Sequence, residues 1–282
     1  MIRTRGLTKV YGDFVAVEDL SFEVYKGEVF GLLGPNGAGK TTTILMLLGL
    51  VRPTKGEAWI DGYSLTREPM EVRRVASLVP ESLGLYDYLT ARENLYFTAE
   101  LNGITGEEKR RRVEELLSKV GLSEWSNVKV GKFSRGMKQR LAIADSLVKE
   151  PKVLILDEPT AGIDPEGAEQ ILSMIRSLSR DEGVTILLSS HLLHQVQKVC
   201  DRVGIMSKGR LVALGDIVSL AGGEYTIEAE FDGVDDELVR RLEEIEGVSS
   251  VLREGDKVVV KARRDIRREI SSLAVVRGSL VV

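Results

Sequence analysis

The chain has 282 residues, of which 43% are hydrophobic and 29% charged, and its net charge of −4 leaves no basic excess for binding nucleic acid. This length suits one large or two modest domains, and no stretch approaches the ~18 uninterrupted apolar residues that a membrane span needs. The chain start lacks an apolar signal core and the single cysteine, Cys200, cannot form an internal disulfide, so we expect a cytoplasmic protein.

Strands and helices alternate along the first 221 residues. Apolar and β-branched runs predict eight strands, at residues 14–24, 28–33, 57–60, 76–79, 153–156, 184–189, 203–207 and 210–214. Residues 92–149 lie between the fourth and fifth of these strands and have a helical pattern interrupted by turns. The order predicts an α/β core that is interrupted by a helical lobe.

The pattern changes after the glycines at positions 222 and 223. Residues 226–231 alternate as a strand, residues 235–245 have a helical period, and residues 257–261 form a second apolar run. We therefore predict a first domain at residues 1–221 and a small α+β domain at residues 222–282.

The most specific motif is GPNGAGKT at residues 34–41, which matches G-x-x-x-x-G-K-[ST] at every fixed position and follows a predicted strand. Its glycines allow the backbone to approach phosphate oxygens, and the N-terminus of the next helix favours an anion. Lys40 is expected to reach the β- and γ-phosphates, and the Thr41 hydroxyl to ligate Mg²⁺. The segment thus predicts nucleoside triphosphate binding by Gly34, Pro35, Asn36, Gly37, Ala38, Gly39, Lys40, Thr41 and Thr42.

A second chemical element is the segment KVLILDE at residues 152–158. Its apolar run predicts a strand buried on both faces, and Asp157 and Glu158 follow at the C-terminal end, where α/β sheets place ligands. Asp157 is expected to hold Mg²⁺, directly or through water. Glu158 is expected to face the γ-phosphate and polarise an attacking water. Beside a phosphate loop, this pair predicts hydrolysis rather than a solvated strand end.

These motifs, with four others in the same order, resemble the ATP-binding cassette (ABC) ATPases over about the first 220 residues. FSRGMKQR at residues 133–140 resembles the ABC signature LSGGQ, which separates this family from other phosphate-loop proteins. AGID at residues 161–164 resembles the D-loop, and SSH at residues 189–191 the switch histidine. Tyr11 resembles the aromatic residue that stacks on adenine.

The resemblance implies a phosphate-loop NTPase (RecA-like) core with an antiparallel β subdomain and a helical lobe. It also implies that two cassettes, either two copies of this chain or this chain and a second ABC ATPase, pair head to tail around two ATP molecules. Ser134 and the backbone N–H of Gly136 would bind the γ-phosphate of the nucleotide held by the other cassette. Asp164 would link the two sites, with Glu158 as general base and His191 as γ-phosphate sensor.

Three positions depart from the usual pattern. Arg135 and Met137 replace the first glycine and the glutamine of the signature. Glu81 stands where the Q-loop has glutamine; a carboxylate can still ligate Mg²⁺ or position water, but it adds negative charge beside the phosphates. The FSRGM signature, the Pro-Glu Q-loop and the small C-terminal domain resemble the exporter branch that pairs with separate ABC-2-type membrane proteins.

The resemblance therefore implies an ATP-hydrolysing transporter subunit that is peripheral on the inner face of the cell membrane through an integral membrane permease. Residues 81–95 are the predicted docking segment, because they lead from the Q-loop into the helical lobe and include Tyr86 and Tyr88. The alternative is a soluble ABC ATPase acting on the ribosome or nucleic acid. Ribosomal members usually carry two cassettes, and chromosome ATPases need a long heptad-repeat insertion. A phosphate-loop kinase has no reason to carry the signature.

Overall fold

The computed structural model describes residues 1–220, 225–231, 233–264 and 266–277. Its contacts divide the chain into two units, Met1–Leu214 and Gly215–Val282. The boundary expected from the sequence, between residues 221 and 222, lies outside the described residues.

The first unit contains two sheets, seven α-helices and two short 3-10 helices, Ser123–Trp125 and Val130–Lys132, among its described residues. Its strands are β1 (Ile2–Tyr11), β2 (Phe14–Leu20), β3 (Glu23–Val24), β4 (Val29–Leu33), β5 (Lys55–Ile60), β6 (Tyr63–Ser64), β7 (Ala76–Val79), β8 (Val153–Asp157), β9 (Thr185–Ser190), β10 (Arg202–Ser207) and β11 (Arg210–Asp216), the last of which runs into the second unit. Its helices are α1 (Lys40–Leu47), α2 (Pro69–Val75), α3 (Ala91–Leu101), α4 (Gly106–Lys119), α5 (Arg135–Leu147), α6 (Pro165–Arg180) and α7 (Leu193–Val196).

The larger sheet has the strand order β11-β10-β4-β9-β8-β7, and the neighbours from β10 to β7 run parallel. Its three central strands, β4, β9 and β8, bury every residue, because helices cover both faces of such a sheet. The register sets Leu33 opposite Ser190, and Asp157 opposite Ser189. The phosphate loop, the acidic pair and the histidine motif therefore begin side by side at one edge.

The smaller sheet is antiparallel, with the order β2-β1-β5-β6 and with β3 also paired to β1. The predicted single strand at residues 14–24 is interrupted: Asp19 has a φ of 49°, β2 ends at Leu20, and β3 resumes at Glu23 along the same strand β1. The prediction also missed β1. Register shifts between Leu7, Lys9 and Val10 interrupt its alternation of apolar and polar residues, and that alternation is the signal on which strand prediction depends.

The helical lobe follows β7 and contains α3, α4 and α5. Helix α3 begins at a capping box, in which the Thr90 hydroxyl accepts from the Glu93 N–H and the Glu93 carboxylate accepts from the Thr90 N–H. The basic run of α4 pairs partly along its own helix, as in Arg111–Glu115 at 2.8 Å, and partly with other elements, as in Arg112–Glu150 at 3.0 Å. Every helix among the described residues is too short or too polar to cross a lipid bilayer.

The second unit contains α8 (Ile217–Leu220), β12 (Tyr225–Glu230), α9 (Asp236–Glu243), β13 (Val248–Glu254), β14 (Lys257–Ala262) and α10 (Arg267–Arg277). Its antiparallel sheet has the order β12-β14-β13. Leu238 and Leu242 of α9 and Val258 and Val260 of β14 belong to a separate apolar core. The prediction missed β13, whose polar start and register shift at Val248 hide its period.

Candidate functional site

The phosphate loop has a backbone that only glycine accommodates at two positions. Gly34 has a φ of 156°, and a Cβ there would lie 2.4 Å from the Met206 carbonyl oxygen. Gly39 has a φ of 101°, and a Cβ would lie 2.6 Å from the Ala16 carbonyl oxygen. Gly37 has a φ of 78°, which also favours glycine, but a Cβ there would face open space. Both the backbone dihedrals and the neighbouring main chain therefore fix the curvature of the loop.

Lys40 opens helix α1 and is held inside the loop. Its ammonium group donates to the carbonyl oxygens of Gly34 at 2.7 Å and Pro35 at 3.3 Å. The same nitrogen lies 3.2 Å from Glu158 Oε1, and both side chains are almost completely buried. Glu158 Oε1 has no hydrogen bond among the described residues, so this contact is a charge pair without hydrogen-bond geometry. A phosphate oxygen entering the loop would meet a preorganised cation.

The acidic pair is fixed by the neighbouring strand. Asp157 Oδ2 accepts from the Thr41 hydroxyl at 2.9 Å, and Asp157 Oδ1 from the Ser189 hydroxyl at 2.5 Å. Ser189 also accepts from the backbone N–H of Glu158 at 3.0 Å. One buried serine thus connects the two carboxylate residues. The sequence analysis did not predict this role of Ser189. The available signal was a serine near the end of an apolar strand, because a buried hydroxyl needs a hydrogen-bond partner.

Glu158 has a left-handed backbone, with a φ of 49°. Non-glycine residues rarely adopt this conformation, and such strain accumulates at functional sites. Glu158 Oε2 lies 2.9 Å from His191 Nδ1, which places the switch histidine that follows β9 next to the acidic residue that follows β8. Glu158 therefore contacts both the loop lysine and the histidine.

A cavity of about 300 Å³ lies over this edge of the sheet. It brings together most of the predicted loop residues with Glu81 and Glu158, and its full lining is Phe14, Ala16, Asn36, Gly37, Ala38, Gly39, Lys40, Thr41, Thr42, Glu81 and Glu158. Cavities of about 440 and 570 Å³ lie elsewhere, and no phosphate-loop residue lines either of them. Convergence of the motif residues, rather than cavity size, identifies the site.

Tyr11 does not line this cavity. It ends β1, is 46% exposed, and has the Lys9 ammonium 4.7 Å from its ring centroid. Phe14, its partner across the β1–β2 pair, lines the cavity and is 64% exposed. Phe14 was not predicted from the sequence, because its position beside the loop depends on the pairing of two strands, one of which was not predicted.

Neither the signature residue Ser134 nor the D-loop residue Asp164 lines this cavity. Ser134 caps α5 by accepting from the Met137 N–H at 3.2 Å, and Asp164 caps α6 by accepting from the Gly167 N–H at 3.0 Å. The first turn of α5 leaves the Gly136 N–H without an intrahelical acceptor. Such a helix start suits an anion that does not belong to the loop of the same chain.

Arg135 joins the signature to the D-loop. A Cβ at Gly162 would lie 2.7 Å from Arg135 Nη1, so the guanidinium covers the backbone of that glycine, whose φ is 66°. Gly136 likewise faces Ile163, with 3.6 Å from an ideal Cβ to Ile163 Cγ2. The signature and D-loop of one chain therefore pack as a single surface.

The residues at this edge have the donor types that Mg²⁺ and ATP require. The converging oxygens of Thr41, Asp157 and Glu81 are the hard donors that Mg²⁺ prefers, and the loop backbone has the close-approach geometry that phosphates need. The buried Cys200 thiol takes no part, because burial raises its pKa and suppresses the thiolate.

Comparison with known proteins agrees with this geometry. The family described as ABC transporter matches residues 17–161. The linearmycin resistance ATP-binding protein LnrL of Bacillus subtilis is 38% identical over 254 residues, with 89% of this chain and 81% of that protein covered. The bacitracin transport ATP-binding protein BcrA of Bacillus licheniformis is 46% identical over 213 residues, with 75% and 68% covered.

The structure is also similar to that of a dimeric ATP-binding cassette in a post-hydrolysis state, bound to ADP and Pi. The TM-score is 0.70 at 27% identity, and the match covers 77% of this chain and 99% of that one.

Proposed function

The chain belongs to the ABC transporter ATP-binding family and is an ATPase, and we propose that Glu158 is the general base that activates water against the γ-phosphate of ATP. The observation that carries this proposal is the contact of the largely buried Glu158 side chain with both Lys40 and His191 at the carboxyl edge of the parallel sheet. There the carboxylate can accept a proton from water, while Lys40 stabilises charge on the phosphates and His191 orients the carboxylate.

Thr41 and Asp157 are the proposed holders of Mg²⁺, with Glu81 as a further oxygen donor. When bound, the ion would neutralise charge on the β- and γ-phosphate oxygens. Ser189 keeps Asp157 oriented through its hydroxyl, so the carboxylate oxygens remain directed at the loop. Tyr11 and Phe14 are proposed to contact the adenine from the β1–β2 hairpin.

The second cassette completes the site in this proposal. Ser134 and the Gly136 N–H would bind the γ-phosphate held by the other subunit's loop, and Asp164 would connect the two sites. Contacts to the γ-phosphate then exist only in the closed pair, so ATP binding favours closure and hydrolysis favours opening.

The driven partner is proposed to be an ABC-2-type permease that exports its substrate, with this chain held at the inner face of the membrane. The signature and Q-loop departures support this branch, and the names of LnrL and BcrA, for resistance and for transport, are consistent with it. Residues 81–95 are the proposed docking segment. Tyr88 is 68% exposed there, whereas Tyr86 packs edge-on against Phe97 at 5.2 Å.

Asn94 holds this segment in place. Its side chain accepts from the Tyr86 N–H at 2.8 Å and donates to the Tyr86 carbonyl at 3.1 Å, and the residue is buried. Tyr88→Asp should therefore weaken the complex with the permease without disturbing the loop, and Tyr86→Asp should also disturb local packing. Normal complex formation and normal transport by both variants would move the docking site elsewhere.

ATP-driven pairing tests the central proposal. We expect the Glu158→Gln variant with saturating ATP to form dimers that light scattering detects, because the amide keeps the shape of the site but slows hydrolysis. Ser134→Arg in the same background should remove the dimer by placing bulk and charge at the γ-phosphate of the second subunit. A persistent monomer in the Glu158→Gln variant would instead indicate pairing with a different cassette.

A further inference from the structure

A second cavity of about 300 Å³ lies away from the phosphate loop, where the helical lobe meets the parallel sheet. Strand β7, helices α2, α3 and α5, and the segments that follow α1 and α5 contribute its walls. Ser77 of β7 and Asp145 of α5 line it, and each has a side-chain oxygen without a hydrogen bond among the described residues.

Both residues present acceptor atoms without hydrogen bonds among the described residues. Ser77 is 6% exposed, and its Oγ has no partner. Asp145 Oδ1 is buried and also has no partner, although the Thr98 side chain hydrogen-bonds to the same carboxyl group. Burial raises the pKa of Asp145 to about 6, so the group is mainly a carboxylate at neutral pH. An unpaired buried acceptor of this kind costs free energy.

The nearby cations are engaged elsewhere. The Lys149 ammonium donates to the carbonyl oxygen of Ala76 at 2.8 Å and to that of Arg73, at the end of α2. Arg73 Nε donates to the Pro69 carbonyl at 3.3 Å. Neither side chain pairs with Asp145 among the described ion pairs. Although both cations line the cavity, Asp145 Oδ1 therefore remains without a hydrogen-bond donor among the described residues.

Exposed apolar side chains lie at this cavity and along α3, the helix that also contacts the proposed docking segment. Leu50 lines the cavity and is 53% exposed, and Leu101, next to the lining residue Asn102, is 71% exposed at the end of α3. One helical turn away, Phe97 contacts Tyr86 of residues 81–95. Exposed leucines around a polar cavity favour a protein side chain over a free small ion, because a protein would cover them as well.

We infer that this cavity receives the side chain of an arginine or lysine of the membrane partner, whose cationic group binds the Asp145 carboxylate and the Ser77 hydroxyl. The inference rests on the proposed transport function and adds the chemistry that would select the partner. Ser77 lies on the strand that leads to Glu81, so an occupied cavity would contact the same strand as the nucleotide site.

A small-molecule probe tests the cavity in the full-length chain. Methylguanidinium, titrated at constant ionic strength, should shift the Asp145 carboxyl carbon resonance saturably and lower the pH at which it titrates. Tetramethylammonium has the same charge without N–H donors and should leave the resonance unchanged. Ser77→Ala should weaken methylguanidinium binding several-fold. Equal responses to the two cations would overturn the inference.

Affinity for the co-purified permease provides the second test. Asp145→Asn should weaken the complex at least tenfold, whereas the matched control Asp181→Asn, at the exposed end of α6, should not. Replacing the responsible basic residue of the permease should cost no further affinity in the Asp145→Asn background.

The two proposals fail separately. A wild-type chain that neither hydrolyses ATP nor binds a permease would refute the proposed function. A wild-type complex that Asp145→Asn leaves equally tight would refute only the assignment of this cavity. Asp145→Asn should keep the basal ATPase rate of the free chain, which excludes misfolding as the cause of weaker binding.

Discussion

The two units of the chain differ in what they bury. Met1–Leu214 buries polar residues next to its nucleotide edge, including Lys40, Asp157, Ser189 and Ser190. In the described part of Gly215–Val282 the buried side chains are all apolar. Since burying a polar group costs free energy unless it is paired, the cluster at this edge depends on its mutual hydrogen bonds and ion pairs, whereas the apolar core of the second unit needs only packing.

Replacing a glutamate by glutamine in each unit should give the largest difference in ATPase rate. Glu158→Gln should lower ATP hydrolysis by ~10²–10⁴-fold, because the amide cannot act as a general base. Glu244→Gln, at the exposed end of α9, should leave the rate unchanged. Steady-state phosphate release with saturating Mg²⁺ and ATP measures both. Wild-type turnover in Glu158→Gln would assign the base to another residue.

Truncating a buried leucine in each unit tests whether the stability of that unit affects ATP hydrolysis. Leu242 is completely buried in the second unit, and Leu242→Ala should destabilise that unit by ~2–5 kcal/mol. Hydrogen exchange should show the loss of protection there, with little change in ATPase rate. Leu156→Ala, one residue before Asp157 in a fully buried strand, should lower stability and activity together. A comparable loss of activity in both variants would mean that the two units do not act independently.

Asp145 provides a pH-dependent test within the first unit. Its folded-state pKa, about 6, is raised by burial, so the folded state binds the proton more tightly than the unfolded state. Stability attributable to this group is therefore fully present below the unfolded-state pKa and is lost as the pH rises through about 6. Asp145→Asn should raise the free energy of unfolding by up to ~3 kcal/mol at about pH 8 and by little at about pH 4. An equal effect at both pH values in denaturant titrations would show that burial of the carboxylate does not raise this pKa.

The smallest expected effect is that of removing the second unit. A chain ending at Ala221 should bind ATP with an unchanged Kd, because every nucleotide motif lies at or before His191. Isothermal titration of the shortened and full-length chains compares them. A folded shortened chain with much weaker ATP binding would refute the separation of the units.

The elements that could be predicted from the sequence are those whose signals are local. The strands around residues 153–156 and 184–189 were predicted because their continuous apolar runs reflect burial on both faces. Strand β1 was missed because its bulges interrupt the period, and β13 because serines occupy its start. An edge or bulged strand depends on its partner for pairing, and the partner is not visible in a local window.

The predicted site residues were found from motifs, but their contacts depended on register. No spacing rule places the Ser189 hydroxyl between Asp157 and the Glu158 N–H, because these groups come from strands more than 30 residues apart in sequence. Phe14 and Asn94 were missed for the same reason: the importance of each arises from a neighbour that folding supplies.

The sequence by itself determined the chemistry: a phosphate loop, an acidic pair and a signature, each written in consecutive residues whose types are fixed by the reaction. Only the tertiary structure decided which oxygen meets which nitrogen, since strand register and helix packing bring distant residues within hydrogen-bond range. It also revealed the unpaired acceptors at Ser77 and Asp145, because a missing partner is a property of the surrounding space and leaves no pattern in the sequence.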